Sequence, residues 1–131
     1  MTVILPEIHD GELRKIEIPG DNTLSLIFET IDKGLRSITL EGVEDFRCDA
    51  LLAGNIIFDL RKVESPTLED LARVACREAR LPDDMSLLSK GEHDHLGRRQ
   101  EAVRHGKLLF LRLESSYGCV MDALCRSYRI V

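Results

Sequence analysis

The chain has 131 residues, of which 44% are hydrophobic, 31% charged and 5% aromatic, with no Trp; this is the balance of a soluble globular protein and excludes a disordered or fibrous one. One domain accounts for the length, because a chain of about 150 residues already buries roughly 68–70% of the surface its unfolded state exposes. Eighteen Lys and Arg against 23 Asp and Glu give a formal net charge of −5, which argues against nucleic-acid backbone binding, a function that rests on clustered cations, and favours a basic partner.

The N-terminus, Met1 to Glu7, has no basic region and meets Pro6 and Glu7 after three apolar residues, so it does not read as a signal peptide. No run approaches the roughly 20 apolar residues of a membrane-spanning helix. A hairpin is expected from Leu13 to Ile31, with Ile16 and Ile18 on one apolar face and Leu24, Leu26 and Phe28 on the next; Gly20-Asp21-Asn22 supplies the positive-φ residues of a tight connection. A turn at Asp32-Lys33-Gly34 leads into a strand from Leu35 to Glu41 carrying Ile38 and Leu40. Gly42 separates it from a strand running through Phe46, Cys48, Ala50 and Leu52. Gly54-Asn55 marks the next turn, before Ile56 to Arg61. Short links usually join neighbouring strands, so a meander of about five strands is expected.

One helix is predicted, from Thr67 to Arg80. Leu68, Leu71, Ala72, Ala75, Cys76 and Ala79 recur at helical spacing, with charged residues on the other side. Ser65 with Pro66, or Thr67 with Asp70, caps its start, and Leu81-Pro82 ends it. Asp83 to His105 shows neither period and reads as a long surface loop with one weak strand near Ala102-Val103. Two closing strands follow, Leu108 to Leu113 and Gly118 to Val131. The fold class is therefore α+β: an antiparallel meander sheet or partly closed barrel with one helix packed on it. Its expected core includes Leu26, Phe28, Leu40, Phe58, Leu71, Cys76, Phe110 and Met121.

Catalytic patterns are missing from the sequence. Cys119 alternates with Met121, Ala123 and Cys125 as a core-facing strand residue, and neither it nor Ser116 has an activating His or Lys nearby. Cys48, Cys76, Cys119 and Cys125 lack C-x-x-C spacing, so four buried thiols in a reducing cytoplasm are expected. His93-Asp94-His95 would point both imidazoles to one side of an extended segment, but nothing supplies a third ligand at zinc spacing. No metal or cofactor is expected. His9, Asp10 and Glu12 gather before the first hairpin and Tyr117 sits in the last loop; these four are the candidate binding residues, since loops flanking strands carry recognition.

His9-Asp10-Gly11-Glu12-Leu13, Gly54-Asn55-Ile56-Ile57 and Ser116-Tyr117-Gly118, taken together, resemble a set of small uncharacterised bacterial proteins, some of which are immunity proteins that neutralise a toxin by binding it. The resemblance covers residues 8–60 and 107–130, implies a β-rich fold, and carries over no catalytic residue. The expected function is accordingly a non-enzymatic cytoplasmic protein-binding module of immunity type. The competing readings are a small hydrolase or metal-dependent enzyme using His9, Asp10, His93 and His95, and a homo-oligomeric structural protein.

Overall fold

The computed structural model describes residues 2–5, 11–30, 34–49, 57–75, 89–115 and 120–131. The described residues form nine strands, β1 (Thr2–Leu5), β2 (Gly11–Gly20), β3 (Thr23–Thr30), β4 (Gly34–Glu41), β5 (Asp45–Asp49), β6 (Ile57–Val63), β7 (Leu109–Ser115), β8 (Val120–Cys125) and β9 (Ser127–Ile130). Two helices, α1 (Leu68–Ala75) and α2 (Lys90–Arg104), fall between β6 and β7. Every strand pairing among the described residues is antiparallel. The strands run in the order β5-β8-β7-β6-β2-β3-β4-β9, and β1 pairs β6 beside the start of β2.

The tight turn after β2 forms as its residues demand. Gly20 pairs with Thr23, and Asn22 takes φ 53°, a left-handed conformation that Asn tolerates well. β2-β3-β4 and β6-β7-β8 are sequential, but the expected five-strand meander is not: β5 leaves β4 to pair with β8. The cause is a corner at Gly42, where φ is 62° and an added Cβ would lie 2.8 Å from the Arg126 side chain. Only glycine meets both requirements there. The expected final strand, Gly118 to Val131, breaks at the same corner, so that β8 pairs β5 and β7 while β9 pairs β4. Glu44 N–H donates to Leu124 O at 2.8 Å and Arg126 N–H to Glu41 O at 3.0 Å, carrying the pairing around the bend. The sheet folds over on itself without closing into a barrel.

Inside the fold lies a cluster of Leu24, Leu26, Phe28, Ile38, Leu40, Leu60, Leu111, Leu113, Met121, Ala123 and Cys125. On the outer face of β6, β7 and β8 a second cluster joins Val63, Phe110 and Leu124 to Leu71, Ala72 and Val74 of α1 and Leu96 and Val103 of α2. β7 and β8 are thus covered on both faces, which is why Leu109 to Leu113 reads as an almost unbroken apolar run. Of the expected core residues, Leu26, Phe28, Leu40, Leu71, Phe110 and Met121 are fully buried; the side chain of Phe58, and Cys76, lie outside the described residues. Ile16 and Ile18 do not join the core and are 37% and 77% exposed. Two register shifts in β2, between Leu13 and Lys15 and between Glu17 and Gly20, interrupt the alternation on which that expectation rests.

α1 starts at a reciprocal capping box, with Asp70 N–H donating to Thr67 Oγ1 and Thr67 N–H to Asp70 Oδ2, both at 3.0 Å. Thr67 with Asp70 is therefore the cap among the two the sequence offers. Residues 76–80, which the predicted helix includes, lie outside the described residues. The larger difference is α2, which occupies most of the segment expected to be a loop with a weak strand at Ala102-Val103. Ser89 caps it, its hydroxyl accepting from Glu92 N–H at 3.1 Å. Leu96 and Val103 are its only buried residues, too few to produce a helical apolar period. Polar anchors hold the rest: Arg99 pairs with Asp45 and, at 3.5 Å, with Glu44, while Gln100 Nε2 donates to Pro66 O at 2.9 Å.

Candidate functional site

Alternation along a strand places every second residue on the outer face, and four strands in register line those positions up. Arg61 of β6 stands opposite Arg112 of β7, Arg112 opposite Asp122 of β8, and Asp122 opposite Arg47 of β5. One step along, Asp59 stands opposite Glu114. The outcome is a charged row across an otherwise apolar platform, and α1 descends on its middle. Arg112 Nε donates to Asp122 Oδ1 at 2.8 Å, while its Nη2 reaches Asp70 Oδ1 of α1 at 3.1 Å and Asp122 Oδ2 at 3.3 Å. The guanidinium also sits 5.5 Å from the Phe110 ring centroid. Arg47 Nη1 donates to the Arg73 carbonyl in the last described turn of α1 at 3.0 Å, placing a cation at the carbonyl end.

The row has a closed end and an open end. Asp122 is buried, whereas the side chains of Arg61 and Glu114 are 35% and 40% exposed. Arg61 Nε lies 3.6 Å from Glu114 Oε2, within ion-pair reach but beyond a hydrogen bond, and this buried nitrogen has no hydrogen-bond acceptor among the described residues. An unmet buried donor is costly.

The hydrogen bonds to Asp122 hold Arg112 firmly protonated against the pull of burial. Burial pushes the Asp122 carboxyl above its ordinary value, with Arg112 opposing. Burial does the same to Asp45, opposed by Arg99. For Asp70 burial again favours the neutral acid, but the Thr67 N–H and the Arg112 guanidinium outweigh it and hold the carboxyl below the ordinary 3.8. Burial pushes the Cys125 thiol up to about 12, leaving it inert. Cys48 and Cys125 are free thiols; Cys76 and Cys119 lie outside the described residues.

Asp70 has a pH signature. Its folded-state proton affinity is below that of the unfolded chain, so its contribution to stability is full above about pH 3.8 and is lost as pH falls through the lower folded value. Asp122 and Asp45 act oppositely, since ionising a carboxyl whose pKa is raised costs the folded state as pH rises past 3.8. Asp70→Asn should therefore lower the melting temperature most near pH 6–7, consistent with a lost capping interaction worth about 1 kcal/mol. The gap to wild type should narrow toward pH 3. A gap that is constant with pH would show that the Asp70 charge is not what anchors α1.

Of the residues the sequence singles out, Glu12 is in the described structure at the start of β2. It sits 3.3 Å from Arg14 Nη2, which also pairs with Glu29 at 2.7 Å, across from Glu12 on β3. His9, Asp10 and Tyr117 lie outside the described residues. Gly11 and Ser115, next to those segments, both stand in register with Phe58, on opposite edges of β6. His93 and His95 lie on α2, not in an extended segment, and residues two apart on a helix point about 200° apart. They do not form a pair. His93 lines a groove on the outward side of α2. No group of three or more His, Cys, Asp or Glu side chains among the described residues is arranged to hold a metal. No helix among them is long and apolar enough to cross a membrane.

Arg112, Asp122 and Arg61 escape sequence reasoning because a charged residue inside a strand normally marks the solvated face. The available signal is their setting: Arg112 interrupts Leu109-Phe110-Leu111 and Leu113, and Asp122 interrupts Val120-Met121 and Ala123-Leu124. A lone charge in a strand apolar on both sides needs a partner. Comparison of the chain with protein-family models, with curated proteins and with solved structures finds no match.

Proposed function

We propose that the chain is a protein-binding module of immunity type, which contacts its partner through the open end of the charged row at Asp59, Arg61 and Glu114. The observation that carries this reading is the buried Arg61 Nε, which has no acceptor among the described residues and is held beside the Glu114 carboxylate. Fixed paired charges of this kind select a partner of complementary pattern more than they add raw affinity. A partner offering a carboxylate or carbonyl to Arg61 and a cation to Glu114 would satisfy the site. The net charge of −5 adds long-range attraction for a basic protein, with an association rate that falls as salt screens it beyond roughly 8 Å at physiological ionic strength.

The test is capture of a partner from cells of the source organism, followed by reconstitution of a one-to-one complex from purified components. Arg61→Glu and Glu114→Lys, each at a half-exposed position, should leave the melting temperature within about 1 kcal/mol of wild type in stability and weaken that complex at least about tenfold. A reconstituted complex indifferent to both substitutions would move the recognition surface elsewhere. Turnover of a small molecule that follows these same residues would replace the binding reading with an enzymatic one.

A further inference from the structure

The outward side of α2 is unlike the rest of the surface. It bears an open groove of about 520 Å³ lined by His93, Asp94, Gly97, Arg98, Glu101 and His105, among others, on the side of the helix opposite the buried Leu96 and Val103. Two features there have no packing or pairing role among the described residues. Asp94 and Arg98 have no ion-pair partner among the described residues, while Glu101 pairs only along its own helix, with Arg104 at 2.8 Å and His105 at 3.3 Å. Gly97, mid-helix, is the residue least favourable to a helix after proline, yet a Cβ added to it would meet nothing within 4 Å. The packing of this chain does not require a glycine at that point. Close approach by another backbone would.

The order of charges along this face identifies what fits it. Asp94, Arg98, Glu101 and His105 are spaced by four, three and four residues, a spacing that reads the same from either end, with the opposite charges of Arg98 and Glu101 set evenly about the midpoint between Arg99 and Gln100. We propose that a second copy of this chain docks here with its α2 antiparallel, about a two-fold axis through that midpoint. In this register Arg98 of each copy faces Glu101 of the other, and Asp94 faces His105. Gly97 lines the flank of the same seam, where its missing side chain leaves room for the partner helix. Lys107, at the far end of the groove, comes beside the acidic first turn of the opposite helix, which carries Glu92. Each contact occurs twice by symmetry, as an isologous interface requires. A parallel arrangement would set like charges against each other along the whole seam. The occupant is thus a copy of this chain, through a surface separate from the Arg61 row, so the two readings stand or fall independently.

Sedimentation equilibrium of the whole chain tests the proposal. At about 0.01 M salt, where the Debye length is roughly 30 Å, the mass should rise with concentration toward twice the 14.8 kDa monomer; at about 1 M salt, where it is roughly 3 Å, the dimer should dissociate. Arg98→Glu should weaken dimerisation at least about tenfold by placing Glu opposite Glu, and the double variant Arg98→Glu, Glu101→Arg should restore it by exchanging the two charges. Gly97→Gln should raise the melting temperature while weakening self-association, opposite signs that loss of folding cannot produce. A chain that stays monomeric at near-millimolar concentration in low salt would overturn the proposal. So would a dimer of equal strength in wild type, Arg98→Glu and the charge exchange.

Discussion

Phe110→Ala should destabilise the protein by about 3–5 kcal/mol, a large share of the 5–15 kcal/mol that holds a typical domain together. Phe110 is fully buried on the outer face of β7, where the second apolar cluster joins β6 and β8 to both helices, and its ring also lies against the Arg112 guanidinium. Truncation leaves a cavity that α1 and α2 cannot close, because both are anchored at polar points: Asp70 to Arg112, and Arg99 to Asp45. The expected result in urea is a midpoint shifted far down, with amides of α1 and α2 losing hydrogen-exchange protection first. Phe28→Ala, in the inner cluster, should cost a similar amount but expose both ends of the sheet together. Equal loss of protection in every element for both variants would show that the two clusters unfold as one.

Breaking the buried ion pair should be nearly as severe. Asp122→Ala leaves the Arg112 guanidinium with Asp70 as its remaining carboxylate, and removing one member of a buried pair costs about 3–5 kcal/mol. Arg112→Met should cost a comparable amount by stranding Asp122 without its bidentate donor. Replacing both, with Arg112→Met and Asp122→Leu, should recover most of the loss, because well-packed apolar residues often match or exceed a buried ion pair in stability. α1 would still lose its Asp70 contact, so recovery should stop short of wild type. A double variant no better than the worse single one would show that the row is held by more than this pair.

Local chemistry made much of the fold legible. The β2-β3 turn follows from Gly20-Asp21-Asn22, the start of α1 from Thr67 and Asp70, and the inward residues of β3, β4 and β8 from plain alternation. α2 was illegible as a helix because two buried residues in fifteen leave no apolar stripe. Its one local signal is the Ser-x-x-Glu pattern at Ser89 and Glu92, in which the Ser89 hydroxyl caps the helix. Of the candidate binding residues His9, Asp10, Glu12 and Tyr117, only Glu12 falls among the described residues, bridged through Arg14 to Glu29.

The sequence by itself determined that the protein is an α+β chain with an antiparallel sheet, because period-two alternation and turn residues act over a few positions and survive any arrangement of the rest. Tertiary structure alone decided which strands become neighbours. Gly42 and Arg126 meet at a corner that sends β5 to β8 and β9 to β4, a contact between residues 84 positions apart that no local pattern encodes. It also decided the charged row: Arg61, Arg112, Asp122 and Arg47 come from four separate strands, and each looks like an ordinary solvated charge until cross-strand register places them side by side. Register is set by the whole sheet, so a site built on it appears only when the sheet does.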